Sequence, residues 1–585
     1  MKTKKRAAHK GSGPAPVAAA AVETVRPWWH FFALGALVAT VAVLWAYSPS
    51  MNGPFLFDDN FLPFAVSDIS AQPLSAFLHG QRPLLMASYW LSARFSPIDT
   101  WWYHFLNVVI HGITTVLVFF IVRRLMEWAK VGESRRGLLA GLAAALFLLH
   151  PVQTEAVAYV AGRSEGLSVM LAFAAFAVFL YRPRPAAGWA TAAAVFLLFG
   201  AALAAKESAI ALLALLLLTD FWWNPGGHWE GIRRNWRIYA PMAVASLAGV
   251  AFFWNTITGA TTAGFGLKDF TWYQYFFTQW RAIFVYLRLF LFPSNLTLDW
   301  DFPISHTVLE HGALVWLVAL LALVAAAWHF RARFPLACYG FFAFLILLAP
   351  TSSILPIRDP VAERRLYFAM LGLLLIVADV LARIKVERKV LVWAGAAVVL
   401  LATVVTHARA EVWSDPLAMW EDTVQKSPGA WRPHFQLGFA YFSGQRCDQA
   451  LGEFQKAAEL RPKDPEILLD WGLAYDCLNQ PEQALQKLEE SAVLEPSAHV
   501  FSQIGMELGR LEKWPDALHA LDAAEKMDPN YVDTYVYLGI VHTKTNQLGN
   551  AILDFQHALA LDPSNTRARQ YMKTVAAQVH ASQGK

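Results

Sequence analysis

The stretch WWHFFALGALVATVAVLWAY, residues 28–47, is apolar over twenty residues, long enough to cross a hydrocarbon core about 30 Å thick. It lacks a small-residue cleavage site, so it reads as a first transmembrane helix and not as a signal peptide. Lys2, Lys4, Lys5, Arg6 and Lys10 precede it. They make residues 1–26 a disordered basic leader on the cytoplasmic side and send the helix outward. Just beyond the helix stands Phe57-Asp58-Asp59-Asn60. Adjacent carboxylates beside a bilayer are costly if buried without partners, so they belong in a wet cleft at the membrane surface, where a general base is useful. The same pair could instead cap a turn after Asn52-Gly53-Pro54.

Working outward, the apolar character continues to about residue 408. A chain of 585 residues that is 56% hydrophobic, with mean hydropathy +0.36 and 24 Trp, is a polytopic membrane protein with a soluble tail. Further spans are expected at about 102–122, 137–158, 166–181, 188–205, 208–223, 239–257, 311–329, 336–350, 366–382 and 389–408, eleven crossings in all with the first. Arg123, Arg124, Arg182, Arg184, Arg233, Arg234, Arg331, Arg333, Arg383 and Lys385 fall in the short loops between them. The positive-inside rule then puts the N-terminus in and the C-terminus out. The segment 273–293 carries Arg281 and Arg288 seven residues apart, on one helical face, and is read as interfacial or cavity-lining. This topology collects Asp58, Asp59, His150, Glu155, Arg163, Lys206, Glu207, Asp299, Asp301, Glu363, Arg364 and Arg365 on the outer face. The net charge of +4 is spread over interhelical loops, an orientation signal that excludes a nucleic-acid footprint.

Beyond Trp413 a repeat appears. Gly438, Gly472, Gly505 and Gly539 recur at intervals of 34, 33 and 34, as do Ala450, Ala484, Ala517 and Ala551, and Pro462, Pro496, Pro529 and Pro563. That period, with small residues where two helices touch, is the tetratricopeptide pattern. The fold expected is therefore all-α: a transmembrane bundle over 27–410 with its first outer loop at 48–100, a lead-in helix at 411–430, four repeats over 431–570, and a capping helix and tail at 571–585. Such arrays present a groove to a peptide, or dock onto the chain's own membrane domain or another subunit. Cys447 and Cys477 lie near the turn ends of neighbouring repeats and could pair if their Cα atoms come within about 7 Å.

Asp58-Asp59, Arg82-Pro83-Leu84, His104 with Asn107 and His111, the block His150-Pro151-Val152-Gln153-Thr154-Glu155 through Gly162-Arg163-Ser164-Glu165, Lys206-Glu207, and Glu363-Arg364-Arg365-Leu366-Tyr367 together resemble the transmembrane, tetratricopeptide-containing O-mannosyltransferase family, of the GT-C glycosyltransferase class. The resemblance covers nearly the whole chain and its domain order. The short basic tail, few repeats and missing retention signal depart from the longer eukaryotic members and suggest a compact bacterial relative, in an inner membrane with the repeats extracytoplasmic.

The resemblance implies transfer of a mannose-like sugar, with inversion, from a polyprenyl-phosphate donor to a hydroxyl of a protein or glycan acceptor. One of Asp58 and Asp59 would take the acceptor's proton; alternating side-chain directions let only one of them point into the cleft, and the family's pattern implies Asp58. The departing lipid phosphate needs fixed cations, for which Arg163, Lys206, Arg364 and Arg365 are candidates, with Arg281 and Arg288 behind them. Arg82, His150, Glu155, Glu165, Glu207, Glu363 and Asp301 are candidates for binding or positioning substrate. Each charged residue could instead be a snorkelling side chain or part of a salt bridge. No zinc spacing is present, and a divalent ion, Mg²⁺ or Mn²⁺, at Asp58 or Asp59 would be unnecessary beside a cationic cluster. A lipid-linked substrate transporter or a membrane-anchored repeat scaffold is the alternative, which loss of sugar transfer in Asp58→Asn or Asp59→Asn would separate from a transferase; removal of 413–585 should weaken acceptor selection more than donor hydrolysis, and equal loss of both would mean that the repeats merely hold the fold.

Overall fold

A computed structural model describes residues 28–61, 72–96, 99–224, 228–260 and 262–583. The leader expected at 1–26 and part of the first loop, 62–71, lie outside the described residues. Among the described residues there is no strand, only an isolated bridge between Ala263 and Ile357.

The apolar half folds into helices that follow its hydrophobic runs. Six are long and apolar enough to cross a membrane: Ala33–Asn52, Trp101–Trp128, Arg163–Leu180, Glu310–Ala332, Glu363–Arg383 and Arg388–Val412. A seventh arises if Glu133–Leu149 and Pro151–Ala158, bent by 49°, form one span. Pro151 causes the bend, since it has no N–H to continue the ladder. Trp189–Ala205, Trp236–Phe252 and Pro335–Leu348 are apolar but shorter. The chain is a multi-pass membrane protein by these helices, several of which turn Leu37, Val38, Val315, Leu400 and Leu401 outward; lipid, unlike water, tolerates such faces. Inside the bundle, Pro335–Leu348 and Leu366–Arg383 cross where two glycines meet. A Cβ added to Gly340 would lie 2.5 Å from the Gly372 carbonyl, so only glycine permits this approach. The Trp272–Leu291 helix is amphipathic, opens with a capping box at Thr271 and Gln274, and does not meet the criteria for a span.

The tail forms helix pairs, Trp431–Ser443 with Cys447–Leu460, Pro465–Cys477 with Pro481–Leu494, Ala498–Arg510 with Trp514–Met527, and Val532–Lys544 with Leu548–Leu561, followed by Thr566–Gln583. The recurring glycines mark the contact within each pair. A Cβ on Gly438 would meet the Phe454 ring at 2.8 Å, and Gly472, Gly505 and Gly539 face Leu488, Leu521 and Phe555 in the same way.

The hydrophobic core does not divide where the composition does. Trp413, Met419, Trp420, Phe435, Leu437, Phe454 and Ala474 belong to the same buried cluster as the membrane bundle. Leu485, Leu488 and the residues of the last two repeats, to Val575, form a second one. The lead-in helix, Pro416–Lys426, and the first repeat are thus built into the body.

Cys447 and Cys477 are joined by a disulfide, their Cα atoms 5.9 Å apart. It closes a loop with a sequence separation of 30, for which chain entropy predicts about 3–4 kcal/mol. Replacing both with Ser should lower the thermal midpoint of the purified protein, and reductant should do the same to the native chain but not to the variant.

Candidate active site

Phe57–Phe61 forms a single turn of 3-10 helix. It begins with Phe57 at φ +48°, a left-handed conformation that costs a bulky residue about 1–2 kcal/mol. The turn is held there by packing: the Phe57 ring meets Trp420 edge-on at 5.8 Å and lies 5.5 Å beneath the Arg432 guanidinium. Both partners come from the lead-in helix and the first repeat, so the tail fixes the conformation of the acidic turn.

The two carboxylates have different surroundings. Asp59 is buried, its Oδ1 accepting from the Ala161 N–H at 2.7 Å and its Oδ2 from the Leu56 N–H at 3.1 Å. It pins the turn to the loop before Arg163. Burial pushes its carboxyl up to about 7, against those two N–H groups and with a further push from Asp58. Asp58 is exposed. Its N–H donates to the Tyr159 hydroxyl at 2.9 Å. Partial burial raises the Asp58 carboxyl above the ordinary carboxylate range; Arg364, Tyr159 and Arg432 pull it down, while Asp359 pushes it up.

Around Asp58 the cations are held by carboxylates. The Arg364 guanidinium pairs with Glu155, whose other oxygen accepts the Arg364 N–H at 2.8 Å, and lies 3.7 Å from Asp359. Lys206 meets Glu165 at 2.5 Å, and Arg82 grips Glu207 with two bonds of 3.0 and 2.8 Å. Burial lowers the Lys206 ammonium, Glu165 opposes this, and the Arg82 and Arg364 charges lower it further, so the three cations share one field. Arg432 bridges Asp299 and Asp359, each at 2.6 Å. Burial alone would raise Asp359, but Arg432 and Arg364 hold it below the usual range.

Most of the remaining sequence candidates bind other parts of the fold. Arg163 is almost fully buried, its guanidinium donating to Asn107, Ser88, Ser92 and Tyr103 over the Tyr89 ring, so it braces the loop behind Asp59. Arg365 holds the backbone at Asp359 and Pro360. Glu363 is buried and accepts the Thr297 N–H at 2.5 Å. His150 bonds the Phe290 carbonyl at 3.0 Å. Arg281 and Arg288 hold the strap between the helices, through Pro303 with Ser305 and through Ser294. Asp301 is exposed on that strap. Among the described residues no three His, Cys, Asp or Glu side chains gather as metal ligands.

Sequence reasoning missed Tyr159, Asp359 and Arg432 and gave Asp299 no role. Tyr159 lay inside the His150–Glu165 block. Arg432 was hidden by the repeat pattern, which accounts for its helix without needing its charge.

Two hollows open beside this cluster. An apolar groove of about 380 Å³ starts at Arg82 and Glu207 and is walled by Leu203, Ile210, Val250, Phe253, Ile257 and Leu355. A cleft of about 440 Å³ lies between the 299–304 strap, Arg358 to Pro360, and Ala430 to Arg432.

Helices of this kind and a helix-pair tail define a multi-pass membrane protein with a tetratricopeptide solenoid. A tetratricopeptide repeat model matches residues 503–566. The protein O-mannosyl-transferase TMTC3 of Mus musculus is 23% identical over 532 residues, 83% of this chain and 54% of that one. The protein O-mannosyl-transferase Tmtc1 of Drosophila melanogaster is 28% identical over 289 residues, 43% of this chain and 33% of that one. Among solved structures YrrB, a tetratricopeptide protein with an unusual peptide-binding site, shares 22% identity over 30% of this chain and 87% of its own, with a TM-score of 0.24. The chain is similar to these O-mannosyl-transferases, and it spans about half or less of their length.

Proposed function

We propose that this protein is a glycosyltransferase that moves a mannose-like sugar from a polyprenyl-phosphate donor to a hydroxyl of a protein acceptor. What supports this most is Asp58: the solvent-facing carboxylate of the pair stands in the field of Arg364 and Arg432, and Arg82 and Lys206 extend that cationic row to the mouth of an apolar groove. The names of the relatives point the same way.

The acceptor oxygen attacks the anomeric carbon while the Asp58 carboxylate takes its proton. The bond from that carbon to the phosphate oxygen breaks, and the electron pair leaves on the lipid phosphate. Arg82, Lys206 and Arg364 meet the charge that develops there, aligned in advance by Glu207, Glu165 and Glu155. The groove beyond Arg82 takes the isoprenoid chain. Asp59 and Arg163 hold the turn and act through position alone. The loop charges orient this face away from the cytoplasm, in a bacterium toward the outside of the inner membrane.

The purified full chain in nanodiscs, given polyprenyl-phosphate mannose labelled in the sugar and hydroxyl-bearing peptides, should transfer label to peptide. Neither binding nor transfer with mannosyl, glucosyl or N-acetylhexosaminyl donors would sink the proposal, and movement of donor across the bilayer without transfer would favour a transporter. A general base works ionised, so a raised Asp58 carboxyl puts the acid limb of kcat/KM above the usual carboxylate range near 4. Arg432 favours the ionised form; Arg432→Met should move that limb to still higher pH. An unmoved limb would remove Asp58 from the titration.

A further inference from the structure

We infer that the cleft between the membrane body and the first repeat is the acceptor site, and that it takes an extended polypeptide carrying a basic residue near its hydroxyl. The inference rests on the transferase reading only for the direction in which the peptide points; binding is a separate matter.

The cleft adjoins the catalytic turn because they share residues. Asp359 and Arg432 line it and are also charges acting on Asp58. A ligand lying along the cleft therefore reaches Asp58 past an Asp359–Arg432 pair of 2.6 Å, without entering the membrane bundle.

The cleft also carries unmet polar demand. Three of its carboxylates have an arginine: Asp299 and Asp359 meet Arg432 at 2.6 Å, and Asp269 lies 3.4 Å from Arg358. The fourth, Asp301, is exposed and has no ion-pair partner among the described residues. Its fixed negative charge calls for a cation, which a Lys or Arg supplies and a neutral glycan does not. Trp300 also lines the cleft, its indole N–H buried with no partner among the described residues. Phe270, Phe302 and Trp431 give apolar walls for the chain between those points.

Continuity with the solenoid selects a polypeptide further. Trp431 and Arg432 open the first helix of the first repeat, and arrays of such helix pairs expose an extended concave surface. A peptide held along the repeats would run into this cleft, with Arg461, stacked 4.4 Å over Trp431, at its border.

The test uses the full chain in nanodiscs and fluorescein-labelled Ser/Thr-rich peptides that differ only in a flanking Lys or Glu, read by anisotropy at low salt without donor. The Lys peptide should bind about ten-fold more tightly than the Glu peptide, Asp301→Lys should reverse that order, and Asp58→Asn should leave it unchanged. Asp301 is exposed and unpaired, so the Asp301→Lys chain should keep the native thermal midpoint. Equal affinities, an order that survives Asp301→Lys, or displacement of the peptide by a neutral mannose oligosaccharide would each overturn the inference. Charge-dependent binding together with no sugar transfer from any donor would leave the cleft standing and remove the transferase reading.

Discussion

Asp58→Asn is expected to lower turnover by about 10²–10⁴-fold, the usual contribution of a positioned general base, while donor binding and the thermal midpoint stay close to native. The argument is one of direction. Asp58 is exposed, and its bond to Tyr159 runs from the backbone N–H, so an amide in place of the carboxylate leaves that bond intact but cannot take a proton. Asp59→Asn should behave in the opposite way. Both Asp59 oxygens accept backbone N–H groups, and an amide offers one acceptor where two are used, leaving a buried N–H facing an NH₂ at a cost of about 1–3 kcal/mol. Its defect should appear first as lost stability, with activity falling only as far as the turn loosens. pH adds a second discriminator. The folded Asp59 carboxyl is raised to about 7, above the usual value near 4. Its contribution to stability is therefore fully present below about 4 and is lost as pH rises through about 7. Asp59→Asn should remove that part of the slope in a plot of thermal midpoint against pH, and Asp58→Asn should not. Full turnover in Asp58→Asn would transfer the base role elsewhere, with Asp359 the next carboxylate in reach.

The fold was legible because its signals are periodic. Long apolar runs flanked by arginines, and Gly438, Gly472, Gly505 and Gly539 at intervals of 34, 33 and 34, follow from bilayer thickness and from helix-pair contact, and neither depends on distant partners. The number of crossings was less legible: length and composition pick out six or seven helices against eleven expected, because Trp189–Ala205, Trp236–Phe252 and Pro335–Leu348 are apolar but shorter than a full span. At the site, sequence brought the charges to one face but did not pair them. Arg163 and Arg364 look alike along the chain, as each arginine lies close to a glutamate. Only the packing separates them, since Arg163 is enclosed by Tyr89, Tyr103, Ser88 and Ser92, whereas Arg364 remains partly open beside Asp359. Arg432 was illegible for a different reason: it completes the site from across the boundary that composition draws.

Truncation after Val412 is expected to abolish donor binding and a monodisperse fold together, whereas truncation after Pro496 should preserve both. A tail joined by a linker would give another result, with acceptor selection lost before donor hydrolysis, as the sequence alone suggests. The shared core changes that expectation. Trp413, Met419 and Trp420 are buried in one cluster with the bundle. At about 1.5–3 kcal/mol each, their removal exposes a loss of about 5–9 kcal/mol, comparable with the net stability of a whole domain. Polar ties go with them: Arg409 to Asp422 at 2.7 Å, Lys426 to the Leu296 carbonyl at 2.8 Å, Ser427 to the Asp299 carbonyl at 2.6 Å, and both Arg432 bridges. Phe57 would also lose Trp420 and Arg432, the packing partners that hold its left-handed backbone and with it the aim of Asp58. The cut after Pro496 keeps the Cys447–Cys477 bridge, the first two repeats and the whole of the core shared with the bundle, and takes all of the second core except Leu485 and Leu488. Size-exclusion profiles and donor-lipid binding of the two truncated chains decide the matter. A monodisperse, donor-binding protein ending at Val412 would mean that the repeats are an appendage and that the catalytic turn is set by the bundle alone.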